Sequence, residues 1–233
     1  MQSEKKKKVV LGVIIALALF VIGAGVYCGM MLKNDKKPVT WLAVGDSLTW
    51  GEGYYRKCYL DYIEREHSEV IADKKGVPGM YTAQLVSYAG DGFLDVDYNP
   101  DIVTVLMGTN DFGLDNPLDQ YEIDLENLIK VVKEKYPNSR IIFLTPPYRD
   151  YYGERKYILS GMVNHLGNSL YDYINVIKEK AKENGIEVVE LTEDECLNKD
   201  NLRDSTLDGL HPNDKGNKLL ADKVYKEVVT NNK

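Results

Sequence analysis

The chain of 233 residues is long enough for one domain with a well-buried core. Its 44% hydrophobic and 28% charged residues are ordinary for a globular protein, which excludes collagen-like, disulfide-scaffold and wholly disordered chains. Residues 1–37 hold seven lysines against two acidic residues, a net charge of +5, which leaves −12 on the rest of a chain whose total is −7. Because nucleic-acid affinity depends on neutralising phosphates with Lys and Arg, no nucleic-acid partner is expected.

The first predicted element is an uncharged apolar segment, residues 9–32, which follows four lysines at positions 5–8. At 1.5 Å per residue it forms about 36 Å of helix, enough to cross a hydrocarbon core of about 30 Å. A retained signal-anchor, a cleaved signal peptide and a buried core helix stay open, and the length favours the anchor. We expect a cytoplasmic tail (1–8), a single transmembrane helix (9–32), a linker (33–38) and one folded domain (39–233).

The orientation of this anchor follows from its flanking charges. Four lysines precede the apolar segment and three follow it within five residues, so the positive-inside comparison favours a cytoplasmic N-terminus only narrowly. The short tail points the same way, since the long C-terminal domain is the part that would be translocated. The expected location is therefore the cell membrane, with the domain outside the cell.

Strands and helices alternate through the rest of the chain. Short apolar, β-branched segments predict buried strands at 39–44, 69–72, 101–107, 140–144 and 186–190. Helical spacing of apolar residues predicts helices at 57–66, from Pro117 to beyond Val132, at 155–183 and at 213–229. This alternation predicts an α/β fold with a five-stranded parallel sheet. Ligands of such sheets bind at the carboxyl ends of the strands, so the loops after Val44, Met107 and Leu144 are the expected site of chemistry.

A serine follows the first strand directly, in the sequence Gly45-Asp46-Ser47-Leu48. Gly45 permits a sharp turn that would present the hydroxyl, but a serine needs a base to become a nucleophile. His211 follows Asp208 by three residues, a spacing that places a carboxylate against one ring nitrogen and leaves the other as base. The residues thus indicate a candidate triad of Ser47, Asp208 and His211.

The other two histidines are weaker candidates. His67 lies in a charged helical segment and is expected at the surface. His165 falls in the middle of the predicted helix 155–183, with no acidic residue nearby in the sequence, so a packing or surface role is expected.

Four blocks of the sequence together resemble the SGNH hydrolases, also called GDSL esterases. They are Gly45-Asp46-Ser47-Leu48, then Gly79, then Gly108-Thr109-Asn110-Asp111, then Asp208-Gly209-Leu210-His211-Pro212. They occur in order and each follows an expected strand end, covering the chain from Val39 onward. The resemblance implies a flavodoxin-like three-layer α/β/α sandwich and hydrolysis of acyl esters.

The resemblance also assigns roles to individual positions. Ser47 becomes the nucleophile, His211 the base and Asp208 the residue that orients it. The backbone N–H groups of Ser47 and Gly79 and the side-chain amide of Asn110 become the oxyanion donors. Gly79 is preferred to Gly76 because a helix is expected to open just after it, although a simple turn around Pro78 is the alternative. No metal, nucleotide or other cofactor is expected.

Substrate expectations rest on location and composition. The leading hypothesis is a membrane-anchored serine esterase that removes acyl groups, foremost O-acetyl esters, from cell-surface carbohydrate. A lysophospholipase or thioesterase acting on lipid acyl chains and an inactive carbohydrate-binding module are the alternatives. Aromatic faces suit sugars or acyl chains, and several tyrosines are expected near the cleft: Tyr54, Tyr55, Tyr81, Tyr148, Tyr151 and Tyr152.

Overall fold

Five parallel strands form one sheet at the centre of the molecule. The computed structural model describes residues 37–53, 55–150, 163–192 and 196–230. The strands lie in the order β2-β1-β3-β4-β5, the flavodoxin-like order. Their bounds are β1 Val39–Gly45, β2 Val70–Gly76, β3 Ile102–Leu106, β4 Arg140–Leu144 and β5 Glu187–Val189. The predicted five-stranded parallel sheet is confirmed.

Helices connect the strands. Three are short: α1 (Ser47–Trp50), α4 (Thr109–Gly113) and α7 (Leu202–Ser205). The longer ones are α2 (Tyr59–Glu66), α3 (Thr82–Gly90), α5 (Leu118–Lys135), α6 (Leu170–Glu183) and α8 (Asp214–Tyr225), the last continued by a π-helical turn, Lys226–Thr230.

The apolar core lies on both faces of the sheet, because neighbouring strand residues point to opposite sides. Leu42 and Val44 of β1 pack in one cluster with residues of α3, α5 and α6. Trp41 and Ala43 pack in the other with residues of α2 and α8. Helices on both faces of one sheet give three layers, as the sequence resemblance implied.

The register of the central strands brings three loops together. Gly45 at the end of β1 pairs with Gly76 at the end of β2 and with Leu106 at the end of β3. The segments that follow these residues carry Ser47, Gly79 and Asn110 respectively, so these three residues leave the sheet at one edge.

One helix prediction was wrong in its extent. Residues 163–169, predicted to be helical, form a turn closed by a bridge between Val163 and Ser169. The helix begins only after Ser169, because the Ser169 hydroxyl accepts from the Asp172 N–H while the Asp172 carboxylate accepts from the Ser169 N–H. This capping box is a strong helix start signal. The predicted part 155–162 lies outside the described residues.

Smaller differences occur at other element ends. β2 extends four residues beyond the predicted 69–72, through charged residues that an edge strand tolerates. The closing helix ends as an α-helix at Tyr225 and finishes in a π-helical turn. Within the described ranges no helix is long and apolar enough to span a bilayer. The predicted transmembrane helix 9–32 and the tail 1–8 lie outside those ranges.

Candidate active site

Ser47 is the first residue of the short helix α1, directly above the end of β1. Its neighbour Asp46 caps this helix, because the Asp46 Oδ1 atom accepts from the Leu48 N–H at 2.9 Å. Gly45 has no room for a side chain, since a Cβ there would lie 2.2 Å from the Thr49 Oγ1. The turn between strand and helix is therefore tight and fixes the position of Ser47.

Asp208 and His211 form the second part of the site, within one turn before α8. The Asp208 Oδ1 atom accepts from the His211 backbone N–H at 2.8 Å, and Oδ2 lies 2.7 Å from His211 Nδ1. His211 Nε2 lies 3.1 Å from Ser47 Oγ. The structure thus brings the three predicted triad residues into one hydrogen-bonded chain, with the imidazole between carboxylate and hydroxyl.

The electrostatics of this chain favour an ion pair between Asp208 and His211. Burial acts to raise the pKa of Asp208, but the hydrogen bonds from His211 outweigh it and the pKa lies below its ordinary value. Burial acts to lower the pKa of His211, but the Asp208 carboxylate, together with the negative charges of Glu52 and Asp46, raises that pKa above its ordinary value. A more basic imidazole is a better acceptor for the proton of Ser47.

Gly79 and Asn110, the two predicted oxyanion residues besides Ser47, line the same cleft as Ser47. Gly79 lines the cleft with φ of +74°, a conformation that glycine adopts without strain. Gly76, the rejected alternative, ends β2, where a Cβ would lie 2.5 Å from the Trp50 backbone nitrogen. The role of Gly76 is therefore close packing of two backbones, while Gly79 has its backbone at the cleft.

The side-chain amide of Asn110 is held by the two loops that carry the other donors. Its Nδ2 atom donates to the Met80 carbonyl at 2.8 Å and to Asp46 Oδ2 at 3.2 Å. Met80 follows Gly79 and Asp46 precedes Ser47, so the amide joins both loops. One amide hydrogen must leave a partner to reach an oxyanion, and the longer bond to Asp46 is the weaker.

Two buried carboxylates support these loops. Asp111 accepts from the Thr82 N–H and hydroxyl and so fixes the start of α3 behind Gly79. Burial raises the pKa of Asp111 to about 6 and that of Asp46 to about 7. Both aspartates thus hydrogen-bond the backbone at the start of a helix.

An open cleft of about 670 Å³ surrounds Ser47. Sequence reasoning missed two of its charged residues, Glu52 and Arg149. Arg149 lies in the loop after β4, where chemistry was expected, and its Nη1 atom donates to the Thr109 carbonyl at 2.8 Å. Glu52 comes five residues after Ser47 and belongs to no sequence motif, so no sequence pattern marked it as a residue of the site. The described lining residues are Ser47, Glu52, Gly53, Pro78, Gly79, Asn110, Gly113, Leu114, Arg149, Asp208, Leu210 and His211.

Of the tyrosines expected near the cleft, the three that the structure describes, Tyr55, Tyr81 and Tyr148, are not among these lining residues. Tyr54, Tyr151 and Tyr152 lie outside the described ranges. Of the remaining three, Tyr55 is 89% exposed. The aromatic contribution to substrate binding therefore stays a prediction.

The other two histidines and the two cysteines of the domain take no part in the hydrogen bonds between Asp208, His211 and Ser47. His67 stacks on the Tyr225 ring at 3.4 Å between centroids. The mid-helix placement of His165 was wrong, since it lies in the turn before α6. Its side chain is exposed, as a surface role requires, and its Nδ1 lies 2.7 Å from Oδ2 of Asp115, which is distant in sequence. Cys58 and Cys196 are buried and free, so they do not pair.

Comparison of the sequence with known protein families identifies the family of this chain. A sequence model of the GDSL-like lipase/acylhydrolase family matches residues 43–219, most of the domain that carries this site. The chain belongs to this family. The resemblance drawn from the four sequence blocks is thereby confirmed.

The curated proteins that match this chain have low sequence identity to it. An isoamyl acetate-hydrolyzing esterase 1 homolog of Mus musculus is 30% identical over 134 residues, which are 52% of this chain and 53% of the mouse protein. The matched region thus spans about half the length of that relative. A GDSL esterase/lipase of Arabidopsis thaliana is 24% identical over 209 residues, 79% of this chain and 83% of the plant protein.

The chain also shares its fold with solved structures. The crystal structure of an acetyl xylan esterase superimposes with a TM-score of 0.62 at 21% identity, over 82% of this chain and all of the other. That likeness shows that the two chains have the same fold.

Proposed function

We propose that this GDSL-like protein is a serine esterase that hydrolyses acyl esters, foremost O-acetyl esters, on carbohydrate at the cell surface. The observation that carries the proposal is the chain from Asp208 Oδ2 through His211 to Ser47 Oγ, with distances of 2.7 and 3.1 Å, at the floor of an open cleft. The acetate ester in the name of the mouse relative supports a small acyl group.

In the acylation step, Ser47 Oγ attacks the ester carbonyl while its proton passes to His211 Nε2. Asp208 holds the imidazole through Nδ1 and stabilises the imidazolium. The negative charge that forms on the carbonyl oxygen faces the N–H groups of Ser47 and Gly79 and the amide of Asn110. When the carbon–oxygen bond to the alcohol breaks, His211 returns the proton to the leaving oxygen.

In the deacylation step, a water molecule takes the place of the alcohol. His211 Nε2 accepts a proton from this water as its oxygen attacks the acyl carbon. Collapse of the second tetrahedral intermediate breaks the bond to Ser47 Oγ, which takes the proton back. The carboxylic acid leaves and the free enzyme is restored.

Labelling with a fluorophosphonate probe tests this proposal. The wild-type protein is expected to form one covalent adduct, and Ser47→Ala is expected to form none. Ser87→Ala, at an exposed serine of α3, is the matched control and should label like the wild type. Equal labelling of Ser47→Ala and the wild type would refute the esterase mechanism, and no labelling of the wild type would favour an inactive binding module.

Acyl-chain preference separates the leading substrate class from lipid hydrolysis. With aryl esters of increasing acyl length, kcat/KM is expected to be highest for the acetate and to fall for long chains. A maximum at long-chain esters would instead support the lysophospholipase or thioesterase alternative.

Location is part of the same proposal. Residues 9–32 are the expected anchor, and the linker 33–38 spans at most about 20 Å when extended. The domain would therefore act close to the bilayer. Protease added to intact cells should release or degrade the domain, whereas a domain that survives until lysis would mean that it faces the cytoplasm.

A further inference from the structure

Glu52, a carboxylate outside the four motif blocks, lies beside the reactive nitrogen of His211. Its Oε2 atom is 3.6 Å from His211 Nε2. The Glu52 side chain is 43% exposed and lines the cleft. It is therefore accessible to a bound substrate and close to the atom that exchanges protons with it.

The backbone around Glu52 is fixed relative to Ser47. The Glu52 N–H and the Gly51 N–H both donate to the Ser47 carbonyl at 3.0 Å. Gly51 has φ of +83°, and a Cβ there would lie 2.5 Å from the Arg56 carbonyl carbon. This left-handed turn ends α1 and sends Glu52 back toward the cleft.

The chemistry of the esterase decides which half of the substrate Glu52 faces. His211 Nε2 returns its proton to the leaving oxygen, so that oxygen must come within hydrogen-bond reach of Nε2. In the proposed mechanism the carbonyl oxygen is held by Gly79 and Asn110, so the substrate oxygen nearest Nε2 and Glu52 is that of the leaving alcohol. Glu52 therefore lies on the side of the alcohol, not of the acyl group.

We propose that Glu52 selects the alcohol by accepting a hydrogen bond from a hydroxyl next to the ester. This inference rests on the proposed esterase function. An ionised carboxylate can only accept, so it suits a hydroxyl donor. Neighbouring hydroxyl oxygens of a sugar or glycerol lie about as far apart as hydrogen-bonded oxygens, so one can meet Nε2 while the other meets Glu52.

The space and charge around Glu52 define the alcohol further. Its neighbour Gly53 also lines the cleft, and a Cβ there would lie 2.8 Å from Leu207 Cδ1 and 3.7 Å from His211 Cβ, so this loop packs closely against the loop that carries His211. A phosphate attached to the alcohol would be repelled by the Glu52 carboxylate. The preferred substrate class is thus an ester of a neutral polyhydroxylated alcohol, such as a sugar ring.

Two acetate esters of nearly equal size test the proposal. In 2-hydroxyethyl acetate the alcohol ends in a hydroxyl, and in propyl acetate a methyl group replaces it. Hydrogen bonds to charged groups change equilibria by about 10-fold or more. We therefore expect the wild type to prefer the hydroxylated ester by about 10-fold in kcat/KM, and Glu52→Ala to reduce that ratio to near one.

Further variants test whether the preference for the hydroxylated ester depends on the charge of Glu52. Glu52→Gln keeps an accepting oxygen without the charge, so its ratio should fall between those of the wild type and Glu52→Ala. Glu179→Gln, at an exposed position of α6, is the matched control and should keep the wild-type ratio. In the wild type, 1-acetyl-glycerol should also react faster than its 3-phosphate, and Glu52→Gln should narrow that difference.

The outcomes separate this inference from the proposed function. Fluorophosphonate labelling of the Glu52 variants shows that Ser47 is still reactive. If Glu52→Ala lowers kcat/KM for both esters by the same factor, Glu52 acts on His211 rather than on the alcohol, and the inference is wrong. If the wild type hydrolyses neither ester and takes no label, the esterase proposal itself has failed.

Discussion

Two Asp–His pairs in this molecule have nearly the same local geometry. In the first, Asp208 accepts from the His211 backbone N–H at 2.8 Å and lies 2.7 Å from its Nδ1. In the second, Asp115 accepts from the His165 backbone N–H at 2.9 Å and also lies 2.7 Å from its Nδ1. Distances within the pair do not distinguish them.

The surroundings of the two pairs differ. The His211 side chain is 16% exposed and that of His165 is 81% exposed. Nε2 of His211 lies 3.1 Å from the hydroxyl of Ser47, at the carboxyl end of β1. His165 lies in the turn before α6. The same Asp–His contact thus occurs with and without a serine beside it, and of the two pairs it is that of His211 which lies at the sheet edge where a base could accept the proton of Ser47.

The largest expected effect comes from removing each histidine in turn. His211→Ala should lower kcat/KM for an aryl acetate by about 10⁴–10⁶-fold, because it removes the general base. His165→Ala should stay within about 2-fold, since an exposed ion pair contributes little. A comparable loss in both variants would mean that the two pairs act together.

Replacing each aspartate by its amide gives the next largest effect. Asp208→Asn should lower kcat by about 10⁴-fold, because an amide facing Nδ1 favours the tautomer that cannot accept the proton of Ser47. Asp115→Asn should leave kcat within about 2-fold. Steady-state kinetics with an aryl acetate measure both, and a mild loss in Asp208→Asn would argue against an orienting role.

The carboxamide near each pair provides a third contrast. Asn110→Ala should lower kcat by about 10²–10³-fold and leave KM within a few-fold, because the amide serves the developing oxyanion more than the bound ester. Asn168→Ala, three residues after His165, should change neither constant by more than about 2-fold. Unchanged kcat with raised KM would instead mean that Asn110 only positions substrate.

The smallest effect is a shift in pH dependence. Because the pKa of His211 is raised, kcat/KM should fall as the pH drops through a value above about 6.5. Stability runs the other way: the contribution of protonated His211 is present below about pH 6.5 and is lost as the pH rises through the folded-state pKa. Thermal unfolding against pH should show this trend in the wild type and in His165→Ala but lose it in His211→Ala.

The fold was predictable where the apolar pattern is local. The strand Arg140–Leu144 has the predicted bounds, because four apolar residues follow Arg140 and two prolines come directly after Thr145. The helix predicted at 155–183 began too early, since apolar spacing alone extended it through a segment that Gly167 and the Ser169 cap interrupt. Cap chemistry outweighed periodicity there.

The sequence by itself determined the pieces of the site that neighbours in the chain define. Gly45, Asp46 and Ser47 are adjacent and follow a strand, so backbone sterics place the serine. Asp208 and His211 are three residues apart, so one turn joins them. The geometry of such arrangements is determined by the backbone of a few neighbouring residues, so it can be predicted from the residue types in that short segment.

Only the tertiary structure decided which distant groups share the cleft. Asn110 is held by Met80 and Asp46, 30 and 64 residues away, and His165 meets Asp115 across 50 residues. Glu52 is close to Ser47 in sequence, yet its approach to His211 depends on how the last loop folds over β1. These contacts are set by strand register and helix packing, which depend on many weak interactions across the whole domain. A short segment of the sequence therefore does not reveal them.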